Sequence, residues 1–356
     1  MRIAFLQDHL RNGGTESQTI HIADGLAQAG HEVTVIVFRK GGALESRASS
    51  AAFDLCFLKQ GIFKTDWFAP GLKKLLKQIS PDVLIPMGRM ANCHAGLLLN
   101  SDRSYRLVST FRTGKRIPFL YRKALRHSNQ LVANSKHAIE RIHLVYGINR
   151  PDDSSVIYNG CIRDFDTSVP SFRPGGKDNS PIRLVSVSMF RPEKRQIDLL
   201  RICSQLPKSV SWRLVLAGDG TEQAACIQEA ETLGIANKVE FPGLLKDPRS
   251  LYYESDIAVH ASTRESLPNF LVEAQMAGLP CVAYDVGGVS ETFIHKKSGY
   301  LINPGDAAHF LDRIQILIES PSLRLQMSEA ARDHAKANFS PKAQLKAYIE
   351  LLKTLR

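Results

Sequence analysis

Apolar residues in this chain fall into short unbroken runs, separated by longer stretches in which they recur every three or four positions. Ile3–Leu6 begins the pattern inside a predicted strand Arg2–Gln7, followed by a loop Asp8–Gly14, a helix near Thr15–Ala29, a turn at Gly30 and a strand Glu32–Phe38. An amphipathic helix is expected at Leu72–Ile79, where Leu72, Leu75, Leu76 and Ile79 form one stripe and Lys73, Lys74 and Lys77 lie off it. The alternation continues with a strand at Asp82–Pro86, a helix at Ala91–Leu99, a strand at Arg106–Thr110 and a helix at Ile117–Leu125. A strand Gln130–Ala133, a helix Lys136–Val145 and a strand Ser155–Ile157 complete the first half. Strands alternating with helices predict a parallel, doubly wound sheet.

The periodicity fails over Asp166–Pro181, which is rich in Pro, Gly and Ser, and a hinge is expected there. A second series then begins, with strands expected at Ile182–Ser188, Trp212–Ala217, Lys238–Phe241, Ile257–His260 and Cys281–Tyr284. Helices are expected at Arg195–Gln205, Ala224–Leu233, Leu251–Glu254 and Pro268–Ala277. The last helix opens at Ser340-Pro341, a good cap followed by proline at the first helical position. The expected organisation is therefore a domain over 1–165, a linker over 166–181, a second domain over 182–338 and a C-terminal helix over 339–356 that packs back towards the first. In doubly wound sheets ligands bind beyond the carboxyl ends of the strands, so a cleft between the two halves is the expected site.

Composition changes the picture only by exclusion. The chain has 356 residues, about twice the usual domain length, and 44% hydrophobic with 23% charged residues, values that exclude wholesale disorder. Its apolar runs are far shorter than the ~18 residues of a spanning helix, and Ile3–Leu6 is too short for a signal peptide. Six cysteines without a CxxC pair read as free thiols in a reducing compartment rather than as a zinc site. A cytoplasmic location is expected.

Charge is more informative. Residues 1–165 carry 23 Lys and Arg against 13 Asp and Glu, whereas residues 166–356 carry 23 against 22. The imbalance points to an acidic partner for the first half: nucleic acid, an anionic membrane surface or a phosphorylated substrate. A basic surface that serves solubility alone is the plain alternative. Lys115–Lys123 and Arg126 mix basic and aromatic side chains as interfacial membrane segments do. No zinc-finger, RNA-binding or basic-zipper spacing appears, so nucleic acid is not the expected partner.

Candidate chemistry begins at Gly13-Gly14, which follow the first strand and precede its helix, where backbone N–H groups can approach an anion. Gly218-Asp219-Gly220 offers a similar turn, but neither site completes the G-x-G-x-x-G fingerprint of dinucleotide binders. The richest stretch is Glu265–Glu273. Pro268 suits a first helical position, so Glu265 is expected in the loop ahead of the helix and Glu273 on its second turn. The helix N-terminus, with N–H groups at Asn269, Phe270 and Leu271, can hold a phosphate, and a carboxylate further along can accept both hydroxyls of a ribose. Arg191 and Lys194 can neutralise a diphosphate. The same spacings also fit solvated helix charges and a solvated turn.

These residues together resemble glycosyltransferase family 4. Val239–Gly243, Asp256–Glu265, Glu273–Pro280, Gly287-Gly288 and Ser298–Pro304 are similar to its C-terminal half, and Gly13-Gly14, Gly30–Val33 and Tyr158–Gly160 to its N-terminal half. The resemblance implies an α/β, GT-B architecture of two Rossmann-like doubly wound domains with an inter-domain cleft, the first domain binding acceptor and the second donor. It implies a retaining, metal-independent hexosyltransferase that uses a nucleoside diphosphate sugar and no cofactor, in glycan or polysaccharide biosynthesis. By position, Glu265 would contact the transferred sugar, Glu273 the ribose, Arg191 and Lys194 the diphosphate, and Gly13-Gly14 the diphosphate from across the cleft. The basic first half then fits a saccharide or lipid-linked saccharide acceptor at the inner face of a membrane, with the protein peripheral to it.

The chain departs from the family pattern in places. Ser188-Met189 stands where Gly-Arg is usual, which shifts the arginine role to Arg191, and Ser266 stands where glycine often follows the first glutamate. Arg112 replaces the usual histidine at the end of a first-domain strand; it and His94 are the acceptor-side candidates, although His94 fits a structural histidine better than a site residue. Asp164 and Asp166 form a D-x-D, but at the hinge, where a metal role is not expected. Two rival readings share the architecture: a nucleotide-sugar epimerase, and a non-catalytic sugar-nucleotide binder.

Overall fold

The protein is described by a computed structural model covering residues 1–11, 13–58, 69–99, 103–161, 165 and 180–355. Asp164 and Asp166, and the linker 166–181 apart from Ser180 and Pro181, lie outside the described residues. The chain divides into two compact units, Met1–Ile162 with Pro341–Arg356, and Arg163–Ser340.

The first unit contains β1 (Arg2–Gln7), α1 (Gly14–Gln28), β2 (Glu32–Val37), α2 (Glu45–Ser49), β3 (Asp54–Phe57), α3 (Leu72–Ile79) and β4 (Val83–Pro86). It continues with α4 (Arg89–Leu98), β5 (Arg106–Phe111), α5 (Phe119–His127), β6 (Gln130–Ala133), α6 (Lys136–Tyr146) and β7 (Ser154–Val156). The strands form one parallel sheet in the order β3-β2-β1-β4-β5-β6-β7. Ile3–Leu6 and Val83–Pro86 are wholly buried, which explains unbroken apolar runs in place of alternation: helices cover both faces of the sheet.

The second unit contains β8 (Ile182–Val187), α7 (Gln196–Cys203), β9 (Trp212–Ala217), α8 (Gln223–Thr232), β10 (Val239–Gly243), α9 (Arg249–Tyr253) and β11 (Ile257–His260). After these come α10 (Asn269–Ala277), β12 (Cys281–Tyr284), β13 (Gly299–Ile302), α11 (Ala307–Glu319) and α12 (Pro321–Phe339). Its sheet, also parallel, runs β10-β9-β8-β11-β12-β13. The final helix, α13 (Pro341–Lys353), rejoins the first unit, where Tyr348, Leu351 and Leu352 enter the core shared with Ile20, Ile22 and Leu26. Gly25 permits this approach, because a Cβ there would crowd the Leu345 side chain.

Three differences from the sequence pattern have local causes. Phe165, placed by sequence in the first domain, belongs to the second unit, where its ring lies 5.9 Å from those of both Tyr252 and Tyr253. The helix expected from Ile117 starts at Phe119, since Pro118 takes an extended ψ of 164° and disfavours helix at the residue before it. The edge strand β3 escapes pattern reading because it opens with exposed Asp54 and its other residues are only half-buried. In α3 the expected stripe holds: Leu72 and Leu76 are buried while Lys73, Lys74 and Lys77 are exposed. Among the described residues no helix is long and apolar enough to cross a membrane.

Candidate active site

Each sheet reverses its strand order once, between β1 and β4 in the first unit and between β8 and β11 in the second, and such switch points open a crevice at the carboxyl ends of the strands. In the second unit the loops leaving β8 and β11 are tied together. The Thr263 N–H donates to the Glu193 carbonyl at 2.8 Å and the Ser262 hydroxyl to the same oxygen at 3.0 Å, pinning the single turn Pro192–Lys194. Lys194 Nζ consequently lies 2.5 Å from Glu265 Oε1, and that same oxygen is 2.7 Å from Nε2 of His260, the last residue of β11.

The electrostatics of this triad follow from burial. His260 is fully enclosed, and desolvation holds its imidazole below the ordinary histidine value despite the neighbouring carboxylate. A neutral ring facing an ionised carboxylate, which only accepts, must donate its Nε2–H. Burial pushes the Glu265 carboxyl up, but the hydrogen bond from His260 and the Lys194 ammonium outweigh it and hold the group well below the usual carboxylate range. Glu265 is therefore an enclosed anion with a fixed direction. Lys194 has spent one of its three N–H donors on it.

Downstream, α10 begins one residue later than expected. Pro268 is the cap, not the first helical residue, and its carbonyl accepts the Leu271 N–H at 3.1 Å. Of the three amides expected to hold a phosphate, Leu271 is thus already engaged in the helix. Glu273 does lie in the second turn. Its Oε2 accepts the Tyr252 hydroxyl at 2.8 Å, and the buried Tyr252 ring stacks on Phe270 with centroids 6.2 Å apart. Tyr252 and His260, the partners of the two glutamates, were not singled out by sequence reasoning. His260 carried a faint signal, an ionisable side chain ending the apolar run Ile257–Val259.

Arg191 is exposed at the start of the Pro192–Lys194 turn. The loop before it is held from behind: Gln196 Nε2 donates to Ser188 Oγ at 2.9 Å and to the Met189 carbonyl at 3.2 Å. Gly218 and Gly220, at φ +141° and +142°, let a second loop close on this one, since a Cβ at either would overlap the carbonyl of Ser188 or Phe190. These glycines buttress the Ser188–Arg191 loop instead of cradling an anion themselves.

In the first unit the switch point holds a cavity of about 540 Å³ whose lining includes Asp8, Glu16 and Arg112. Asp8, just beyond β1, accepts the Met90 and Ala91 N–H groups at 3.0 and 2.7 Å and so caps α4; Gly88 leaves room for its carboxylate. Gly13 caps α1 and Gly14 begins it, and the Glu16 carboxylate occupies the space a Gly13 side chain would need. Burial raises the Glu16 carboxyl above its ordinary value. Arg112, just beyond β5, lines the cavity and donates to Asn159 Oδ1 and, at 3.3 Å, to the Tyr348 hydroxyl. His94 is not brought to this site: it is buried on α4, edge-on to Phe38 with centroids 4.9 Å apart, and does not line the cavity.

Residues 12–165 match the family Glycosyltransferase Family 4 and residues 170–334 match Glycosyl transferases group 1. The chain belongs to the family-4-like glycosyltransferases. Lipopolysaccharide core biosynthesis glycosyltransferase LpsE of Rhizobium meliloti is 23% identical over 342 residues, covering 96% of each chain. N-acetyl-alpha-D-glucosaminyl L-malate synthase of Bacillus anthracis is 32% identical over 156 residues, which span 44% of this glycosyltransferase and 41% of that protein. Among solved structures, Anabaena HepE in complex with UDP is similar with a TM-score of 0.84 at 22% identity, over 99% of this chain and 100% of that one. The fold is GT-B.

Proposed function

We propose that this glycosyltransferase moves a hexosyl unit from a nucleoside diphosphate sugar to a saccharide acceptor with retention of anomeric configuration, in polysaccharide or lipopolysaccharide assembly. The observation that carries the reading is Glu265, an enclosed carboxylate kept ionised and aimed by Lys194 and His260 at the switch point of the second sheet. Glu273, oriented by Tyr252, is assigned the ribose hydroxyls, and the amides of Asn269 and Phe270 with the Arg191 guanidinium are assigned the diphosphate. Lys194 retains two N–H donors for phosphate oxygens beside its bond to Glu265.

Negative charge grows on the departing diphosphate as the sugar leaves, so fixed cations and helix amides aimed there lower the barrier without a metal ion. The acceptor is assigned to the first unit, and its proton to an oxygen of the leaving diphosphate. HepE has been crystallised with UDP and with UDP-glucose, which makes uridine diphosphate sugars the first donors to test. Incubation with labelled uridine and guanosine diphosphate sugars should release nucleotide, and Glu265→Ala should abolish release. Normal turnover by that variant, or an epimerised sugar as the product, contradicts the reading.

Peripheral membrane attachment belongs to the same proposal. Its support is the exposed Lys73, Lys74 and Lys77 of α3 and, on α5, Phe119 at 66% exposure with the Arg122 guanidinium 6.0 Å from its ring. Salt-sensitive binding to anionic vesicles is expected, and equal binding to neutral vesicles contradicts it.

A further inference from the structure

The first-unit cavity carries three guanidinium groups, Arg11, Arg89 and Arg112. Among the described residues none of the three has a carboxylate within ion-pair distance. Arg112 is half-buried, and its partners, Asn159 Oδ1 and the Tyr348 hydroxyl, are both neutral. The two carboxylates on the same wall are turned to other tasks. Asp8 spends both oxygens on the N-terminal amides of α4, and Glu16 folds against Gly13 at the start of α1, where burial raises its carboxyl and the charge of Arg11 only partly opposes that rise.

Among the described residues, then, the wall presents cations with no ion-paired carboxylate. Guanidinium groups are best matched by bidentate carboxylate or phosphate, and such charge-assisted bonds are about twice as strong as neutral ones. Orientation of Arg112 by two fixed acceptors lowers the entropy lost when it meets a ligand. A neutral saccharide could accept hydrogen bonds from these groups but would leave their charge unanswered.

We propose that the cavity receives an acidic sugar, one carrying a phosphate or a carboxylate, with the anion held by Arg11 and Arg89 and steadied by Arg112. The inference rests on assigning the acceptor to the first unit, and it names the class of that acceptor.

The test is equilibrium binding to the full chain, which needs no donor and no turnover. Glucose 6-phosphate, methyl glucuronide and methyl glucoside are titrated at constant ionic strength by calorimetry, alongside UDP and GDP. At least one acidic sugar should bind about tenfold or more tightly than methyl glucoside, a gain equal to one charge-assisted contact. The double variant Arg11→Gln/Arg89→Gln should bring it to the neutral level while nucleotide affinity stays unchanged. Both side chains are exposed, so the fold should survive, and an unchanged melting temperature checks this. Equal affinity for charged and neutral sugars, no binding of either acidic sugar, or a double variant that loses nucleotide in place of sugar overturns the proposal. Absence of nucleotide binding by the unaltered protein, with acidic-sugar preference intact, would instead fail the donor reading and leave this one standing.

Discussion

Gly287 and Glu265 meet main chain to main chain: at Gly287, with φ +59°, a Cβ would overlap the Glu265 carbonyl. Both the left-handed backbone and the contact exclude a side chain. The loop that presents the Glu265 carboxylate is thus held on one side by Lys194 and His260 and on the other by a bare backbone. Gly287→Ala should cost about 1–3 kcal/mol of stability in the second unit and reduce turnover by displacing Glu265. Denaturant unfolding and initial rates check both. Wild-type values for stability and rate together would mean the loop is not held from this side.

Removing one member of an enclosed ion pair strands the other. Lys194→Met should destabilise the protein by about 3 kcal/mol, at the low end for broken buried pairs because Lys194 keeps 19% of its side-chain exposure. Adding Glu265→Gln to Lys194→Met should recover part of that loss, since the stranded charge is gone. A double-mutant cycle measures the coupling, and strict additivity would show that the two groups do not interact.

The pH dependence has a definite sign. The Glu265 carboxyl titrates lower in the folded protein than in the unfolded chain, so its contribution is fully present above the unfolded value of about 4.3. That contribution disappears as the pH falls through the folded value. Denaturation midpoints of the wild-type protein should therefore drop on acidification below about pH 4.3, and those of Glu265→Gln should drop less. Parallel pH curves for the two proteins would remove the electrostatic account of the triad.

Tyr252 acts on Glu273 without being placed against substrate. Tyr252→Phe keeps the ring that stacks on Phe270 and removes the hydroxyl that donates to Glu273 at 2.8 Å. A net loss of about 0.5–1.5 kcal/mol is expected. If the hydroxyl aims Glu273 at the ribose, KM for the nucleotide sugar should rise several-fold while kcat changes little. A stability loss with unaltered KM would make Tyr252 a core residue only.

Most of the fold was legible because it is built from local pattern. Unbroken apolar runs such as Ile3–Leu6 mark strands covered on both faces, and the strands Gln130–Ala133, Trp212–Ala217, Ile257–His260 and Cys281–Tyr284 have the limits their patterns predict. The spacing of Glu265 and Glu273 around a proline-capped helix start was equally local. Elements without a buried run, such as β3, left no such mark.

By itself, then, the sequence determined the two doubly wound series, the family, and which loop and helix carry the paired glutamates, since each depends on residues within a few turns of one another. Tertiary structure alone decided that Lys194 answers Glu265 across 71 positions, that His260 donates to the same oxygen, and that the Tyr252 hydroxyl donates to Glu273. It also showed that the Arg112 side chain reaches Tyr348, 236 positions away. Strand pairing brings such partners together through long crossovers, and burial then fixes their charge states; neither effect has a period that a linear pattern can register.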